Sequence, residues 1–355
     1  MTNISQYCVP PEAKIRDVIS FIDKYGSGVA IVVDDARRLL GTVTDGDIRR
    51  AILGGLDLGL PVQSLLDRKQ ETGCGAPITV KVGTSDAEVL RLMNQHVLRH
   101  IPIVNDDGQV VDLRLLGDLV KEYELPLQAV VMVGGFGTRI RPLTDDLPKP
   151  MLPIGGQPLL ELILKQLRSA GIRRVNLTTH YKERVISDHF GDGSSLDLQI
   201  SYVREDEPLG TAGALSRVQA DQDPLLIING DIITTINFRS MLQYHREHGA
   251  DMTIAVREYE YQVPYGVVVT DGLLVNNIIE KPVRREFVSA GIYLVHPDVC
   301  RWVPSDKPCD MPELILRCLR QEGRVVSFPV REYWIDIGHM ENYRKAQADA
   351  ARGVF

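Results

Sequence analysis

Apolar positions in the first third of the chain recur in a fixed order. Ile15, Val18, Ile19 and Ile22 share one face at helical spacing and predict a helix. The apolar run Val29 to Val33 predicts a short strand, and the pair Asp34 and Asp35 a turn. A second strand follows, then a helix opening at Asp47. The order returns at a constant offset of 71, pairing Val9 with Val80, Val18 with Val89, Phe21 with Leu92, Val33 with Val104, Asp35 with Asp106 and Asp47 with Asp118. At that offset GVAIVVDDARRLLGTVTDGDIRRAI (Gly28 to Ile52) and LRHIPIVNDDGQVVDLRLLGDLVKEYE (Leu98 to Glu124) match without a gap. Two copies are too few for a solenoid and enough for a paired module.

The pattern breaks at Pro126, and a new strand begins at Ala129. Helices and strands then alternate: helix Pro158 to Ala170, strand Arg174 to Thr178, helix Tyr181 to Phe190, strand Leu198 to Val203, strand Pro224 to Gly230. Such alternation predicts a mostly parallel sheet covered by helices, with ligands at the carboxyl ends of its strands. The expected class is α/β, divided at 1–58, 59–125 and 128–355.

Composition narrows the function. The chain has 355 residues, 44% hydrophobic and 25% charged, as in ordinary globular proteins. A net charge of −7 disfavours a nucleic-acid surface, so any phosphate chemistry is local. No apolar run approaches the roughly 20 residues of a membrane span. The start, MTNISQYCVPPEAK, lacks the basic and apolar regions of a signal peptide, so the cytoplasm is expected. The five cysteines (Cys8, Cys74, Cys300, Cys309 and Cys318) form no CxxC pair and read as reduced, mostly buried side chains. His96 with His100, and His245 with His248, have helical spacing but no third ligand, so each pair reads as a helix face.

The chemistry concentrates in VMVGGFGTRIRPLTDDLPKPMLPI, Val131 to Ile154. A P-loop would need GK[ST] after the last glycine, where Gly137-Thr138-Arg139 stands, and a dinucleotide fingerprint a third glycine in place of Ile140. Glycines let backbone N–H groups close on a polyphosphate, while Pro142, Pro148, Pro150 and Pro153 stiffen the loop. The longer stretch GGFGTRIRPLTDDLPKPMLPIGGQPLLE resembles the signature of the sugar-1-phosphate nucleotidylyltransferases.

That resemblance implies a Rossmann-like domain with a mixed, mostly parallel sheet, an NTP and a sugar-1-phosphate as substrates, and Mg²⁺ as cofactor. Gly134, Gly135, Gly137 and Thr138 would hold the NTP, Arg139 the leaving pyrophosphate, and Lys149 the α-phosphate. Asp231, in the NGD that follows the apolar strand PLLII, and Asp336, in WIDIG, would carry the metal; paired carboxylates at strand ends suit Mg²⁺. Gly210 and Thr211, in PLGTAGAL, would lie against the base. Gly266, with Glu280 and Lys281 of the EKP segment, would contact the sugar and its phosphate. No hexapeptide repeats follow, so enzymes that append a β-helix acyltransferase are not the match.

GTVTDGD, Gly41 to Asp47, resembles the nucleotide-binding stretch of CBS domains, and the repeat resembles a tandem CBS pair. The resemblance implies an adenosine nucleotide at Thr44 and Asp47 and a homo-oligomer built through the pair. Thr44 and Asp47 also stand at capping-box spacing. The second copy has Leu115 in place of Thr44, so Asp118 offers a weaker site. A CBS pair ahead of such a transferase resembles bacterial enzymes that activate sugars for surface glycans, including the glucosamine-1-phosphate guanylyltransferases of the legionaminic acid route. It favours GTP and a glucosamine- or mannose-type hexose-1-phosphate. The alternatives are a phosphocholine-type cytidylyltransferase and a non-catalytic nucleotide-sensing subunit.

Overall fold

The computed structural model describes residues 4–25, 28–71, 77–96, 98–119, 124–205, 207–219, 223–305 and 307–355. The chain forms two compact units, Met1–Tyr123 and Glu124–Phe355.

The first unit holds the two copies. One comprises β1 (Cys8–Val9), α1 (Ile15–Tyr25), β2 (Val29–Val33), β3 (Leu39–Thr44), α2 (Asp45–Leu53) and α3 (Gln63–Glu71). The other comprises β4 (Val80–Lys81), α4 (Asp86–Gln95), β5 (His100–Val104), β6 (Val110–Leu115) and α5 (Leu116–Leu119). Their sheets have the same design, β1-β2-β3 and β4-β5-β6, each with one parallel and one antiparallel pairing. Ile15, Val18 and Ile22 of α1 pack on the inner face of the first sheet, as their spacing predicts. The other face meets the second copy: Val29, Ile31 and Val33 are buried with Val104, Val110 and Leu113. The second helix of the first copy opens at Asp45 rather than Asp47, because Thr44 leaves the strand in extended conformation and caps it. His100 lies on β5 rather than on the helix that its spacing from His96 suggests.

The second unit opens with β7 (Gln128–Met132), the hairpin β8 (Pro153–Ile154) and β9 (Gln157–Pro158), and α6 (Leu159–Ser169). Then come β10 (Arg174–Thr179), α7 (Glu183–Phe190), β11 (Gln199–Arg204), the single turn α8 (Gly210–Gly213), β12 (Leu225–Asn229), β13 (Ile232–Thr234) and α9 (Phe238–Glu247). The remainder is β14 (Met252–Gln262), β15 (Val267–Asp271), β16 (Leu274–Ile279), β17 (Val283–Val295), α10 (Pro297–Cys300), α11 (Met311–Arg320), β18 (Val325–Pro329), β19 (Trp334–Asp336) and α12 (Met340–Ala351).

Seven strands form one sheet in the order β11-β10-β7-β12-β17-β14-β18, with parallel pairing except where β17 meets β12 and β14. The chain leaves β7 toward β10 on one side and returns to β12 on the other. That reversal opens a crevice beyond the carboxyl ends of β7 and β12. Helix α6 seals one face with Leu159, Leu160, Ile163, Leu164 and Leu167, a stripe of period 3.6, while Glu161 and Lys165 pair at 2.6 Å on its outer side. Ala129, Val130 and Val131 of β7 are wholly buried, which fixes the strand on which the site is built.

Strands β14 and β17 run on together past the main sheet as a two-stranded arm, Arg257–Gln262 against Val283–Val288. The hairpin β15/β16 follows it, with Leu273 fully exposed at its tip. No helix among the described residues is long and apolar enough to cross a membrane. The four described cysteines are free thiols: Cys309 and Cys318 are buried, Cys8 and Cys300 half-buried, and Cys74 lies outside the described residues.

Candidate active site

A cavity of about 460 Å³ opens at the carboxyl ends of β7, β10 and β12. Its floor is the loop after β7. Gly137 takes φ +66°, and a Cβ there would lie 2.9 Å from the Thr144 methyl. The Thr144 hydroxyl donates to the Gly137 carbonyl at 2.9 Å and folds the loop back. Thr138 begins a one-turn 3₁₀ helix. The N–H groups of Gly134, Gly135, Phe136 and Gly137 meet no acceptor among the described residues. Backbone donors left open along a cavity wall suit an anion with many oxygens.

Lys149 enters on the second 3₁₀ turn and donates to Asp231 Oδ2 at 2.5 Å. Asp231 follows Gly230, whose N–H bonds the Met132 carbonyl at 2.8 Å. A glycine is required there: a Cβ would fall 2.6 Å from both Met132 O and Val133 Cγ1. Asp336 arrives from the far end of the chain because β13 and β19 pair antiparallel, Ile232 opposite Asp336, with the Ile337 N–H on the Asp231 carbonyl at 2.9 Å. Burial, and then the neighbouring Asp231 charge, push the Asp336 carboxyl above its usual range; Lys149, Arg139 and His339 oppose them.

Asp336 Oδ1 is buried with no hydrogen-bond partner among the described residues, and Gly338, in the cavity wall, stands beside it; a Cβ on Gly338 would lie 3.2 Å away. An orphaned acceptor beside a second carboxylate fits a divalent cation that completes its shell with substrate oxygens. No group of three or more His, Cys, Asp or Glu able to hold a metal occurs among the described residues.

Arg139 lines the cavity, exposed, and makes no ion pair with any described residue. Gly210 and Thr211 line the opposite wall. Gly266, Glu280 and Lys281 stand apart from that lining. Gly266 lies against the Glu280 carboxylate, with an ideal Cβ 3.0 Å from Oε2, and Glu280 and Lys281 are both exposed.

One lining residue carries no sequence signal. Glu205 is buried, 7% exposed, one residue past β11; its Oε2 accepts the Leu209 N–H at 2.9 Å, and its carbonyl bonds His180 Nδ1 at 2.8 Å. Phe136, edge-on to His180 with centroids 5.5 Å apart, forms the adjoining rim. Only the apolar strand before Glu205 could have marked it as a strand-end residue.

In the first unit Thr44 and Asp47 form a reciprocal capping box: the Thr44 N–H and hydroxyl both reach Asp47 Oδ2 at 2.8 Å, and the Asp47 N–H reaches Thr44 Oγ1 at 3.3 Å. Arg50 takes Oδ1 at 2.7 Å and Lys69 takes Oδ2 at 2.9 Å. Burial pushes the Asp47 carboxyl up, but Lys69, the Thr44 amide and Arg50 together hold it below the usual range. A ribose reaching Asp47 would have to displace those cations. The Asp118 side chain lies outside the described residues. Of the histidines set aside as metal ligands, His245 is buried on Thr253 Oγ1 at 2.8 Å and His248 stacks on Tyr244.

Comparison with known proteins agrees with this geometry. Residues 128–353 match the Nucleotidyl transferase family, and residues 3–54 and 75–122 each match the CBS domain. The mannose-1-phosphate guanylyltransferase of Mycobacterium tuberculosis is 34% identical over 237 residues, 64% of this chain and 66% of that protein. The mannose-1-phosphate guanyltransferase of Schizosaccharomyces pombe is 32% identical over 229 residues, 61% of this chain and 62% of that protein. The chain thus spans somewhat less than two thirds of these relatives' length. Among solved structures, HddC of Yersinia pseudotuberculosis, complexed with GMP-PN, is 29% identical with a TM-score of 0.50, covering 62% of this chain and 98% of that one. A Bacillus anthracis protein described as a putative glucose-1-phosphate thymidylyltransferase shares the fold at 21% identity and a TM-score of 0.52, covering 63% of this chain and 95% of that one. With its glycine loop, its lysine and its two carboxylates gathered at the ends of β7, β12 and β19, the chain belongs to the nucleotidyl transferase family and carries a tandem CBS pair ahead of that domain.

Proposed function

We propose that the protein transfers GMP from GTP to a hexose-1-phosphate of the mannose or glucosamine type, releasing pyrophosphate and giving a GDP-sugar for surface glycans. The observation that supports the reaction is the meeting of open loop amides, Lys149 and Asp231 in one cavity, with Asp336 beside Asp231. A sugar-phosphate oxygen attacks the α-phosphorus in line, and the bond to the β-phosphate oxygen breaks as its electrons leave with pyrophosphate. The protein's task is positioning and charge neutralisation. Backbone amides of Gly134 to Thr138 bind the polyphosphate, Arg139 holds the leaving pyrophosphate, and Lys149 moves from Asp231 to the α-phosphate as charge develops. Asp231 and Asp336 would hold Mg²⁺, which when bound supplies Lewis-acid neutralisation of phosphate charge. Lys281 and Glu280 orient the sugar phosphate and sugar hydroxyls, which requires the arm to approach the bound substrate.

Glu205 supports guanine. Its carboxylate accepts hydrogen bonds only, and guanine alone among the four bases offers two adjacent donors, N1–H and N2–H, on its pairing edge. Adenine and cytosine set a lone pair beside their amino group, and uracil flanks its single N–H with carbonyls. The four NTPs, each paired with mannose-1-phosphate and glucosamine-1-phosphate and read as pyrophosphate release, test the assignment. GTP is expected to lead, and Glu205→Gln to lower its lead over the others by roughly tenfold or more. Equal turnover of all four NTPs would remove guanine from the reading and leave the reaction class.

For the CBS pair we propose an adenosine nucleotide as regulatory ligand, held at Thr44 and Asp47, in a homo-oligomer built through the pair. Lys69 and Arg50 would turn from Asp47 to its phosphates, an exchange of one anion for another.

A further inference from the structure

The turn that carries Gly210 and Thr211 has no cap of its own. Leu209 stands at the N-cap position of α8 and offers no side-chain acceptor. About a hundred residues later, Asp310 stands at the N-cap of α11 and makes no side-chain bond to its own helix. The two helix starts exchange caps instead. Asp310 Oδ1 accepts the Thr211 N–H at 3.0 Å and its hydroxyl at 3.4 Å, while Thr211 Oγ1 accepts the Met311 N–H at 2.8 Å. Backbone bonds flank the exchange, from Ala212 N–H to the Cys309 carbonyl at 2.9 Å and from Cys309 N–H to the Leu209 carbonyl at 2.8 Å. Gly210 sits under it at φ +78°, where a Cβ would lie 2.7 Å from Asp310 Oδ1 and 2.8 Å from the Cys309 carbonyl. Any other residue there would push the two segments apart.

We propose that Asp310 is a positioning residue for the nucleotide, holding the wall formed by Gly210 and Thr211, and through it Glu205, at a fixed distance from the glycine loop. The link to Glu205 is direct: its Oε2 accepts the N–H of Leu209, the residue whose carbonyl takes the Cys309 N–H. Asp310 itself is outside the cavity lining, so it acts through Thr211 rather than on substrate. An aspartate that caps a remote turn instead of its own helix forgoes a local bond for a distant one. The structure offers no other acceptor for the Thr211 N–H among the described residues.

The proposal rests on the reading of this cavity as the nucleotide site. It separates from a general packing role by kinetic pattern. In Asp310→Ala the KM for GTP is expected to rise about 5–10-fold, with kcat within about threefold, the KM for the sugar phosphate unchanged, and the preference for GTP over ATP reduced. Asp310→Asn keeps the Oδ1 acceptor and should behave as wild type, and Thr211→Ser should do the same through its hydroxyl. Thr211→Val combined with Asp310→Ala should cost no more than the worse of the two alone, because both break one exchange. Amide hydrogen exchange on the full chain reads the latch without substrate: amides of 209–212 and 309–311 should exchange faster in Asp310→Ala and at the wild-type rate in Asp310→Asn. Unchanged exchange and unchanged GTP kinetics in Asp310→Ala would overturn the proposal, as would an Asp310→Asn variant as impaired as the alanine. Faster exchange in Asp310→Ala beside a wild-type protein that turns over no nucleotide would overturn the reading of the cavity, and the positioning role with it, while the latch itself stands.

Discussion

Replacing Gly230 by alanine tests how the backbone aims the Asp231 carboxylate. The new Cβ would sit 2.6 Å from the Met132 carbonyl and 2.6 Å from Val133 Cγ1, whereas ordinary contact begins near 3.4 Å. The ends of β7 and β12 must therefore part by about 0.8 Å, the difference of those two distances. The Met132 carbonyl is backbone in a wholly paired strand and cannot rotate aside. Overpacking of this kind costs about 1–3 kcal/mol. In a unit of this size that lowers Tm by roughly 2–10 °C. Asp231 is the next residue, so the opening moves its carboxylate relative to Lys149, and a displacement approaching 1 Å costs roughly 10²-fold in rate. Calorimetry and a coupled pyrophosphate-release assay read the two effects separately. Gly135→Ala is the control for stability, since a Cβ there meets nothing within 4 Å, and its Tm should match wild type. A Gly230→Ala variant with wild-type kcat would refute the argument that the β7–β12 register aims Asp231.

The remaining predictions concern single side chains. Arg139→Ala removes an exposed cation with no ion pair among the described residues, so the fold should keep its Tm while kcat falls roughly 10²–10³-fold; an unchanged kcat with a higher KM would mean equal binding of ground and transition states. Asp47→Ala, measured by calorimetry on the full chain, should abolish binding of AMP, ADP and ATP at the CBS pair and leave basal transfer within about twofold; no binding by wild type would reduce Thr44 and Asp47 to a helix cap. Burial, aided by His296 and Arg246, lowers the pKa of His245 from its ordinary value to about 4. Because the folded pKa lies below the unfolded one, about 6.5, its neutral form gives full stability above that value. Stability should then fall as pH drops from about 6.5 toward 4, by on the order of 1–3 kcal/mol. The His245→Gln variant should show a flatter Tm profile across that window, and an identical slope would exclude His245 as the cause.

What the sequence discloses follows the range of the interactions. Strands β7, β10, β11 and β12 and helices α6 and α7 lie within a residue or two of their predicted bounds, because buried runs and amphipathic stripes are local patterns. The CBS repeat is legible for the same reason. The start of α2 is misplaced by two residues: Asp47 is the chemically conspicuous residue, yet the cap belongs to Thr44. His96 and His100 mislead because spacing alone cannot tell a helix face from a helix end and the next strand. Arg139, Lys149, Asp231 and Asp336 are neighbours in the structure, the last two through β13 and β19, a pairing across about a hundred residues that no local pattern encodes. Glu205 and Asp310 escape sequence reading for that reason, since their roles exist only in contacts with the turn at 209–212. Gly266, Glu280 and Lys281 are assigned by motif order, and the arm that bears them stands outside the cavity wall.

We propose nucleotide transfer at the cavity at the ends of β7 and β12, with Asp231 and Asp336 holding the metal. Pyrophosphate release from GTP and mannose-1-phosphate at saturating Mg²⁺, compared between wild type and Asp231→Asn, tests it most directly. Wild type should turn over, and the variant should lose roughly 10²–10³-fold, with Tm held within a few degrees. A variant that turns over within a few-fold of wild type would contradict it.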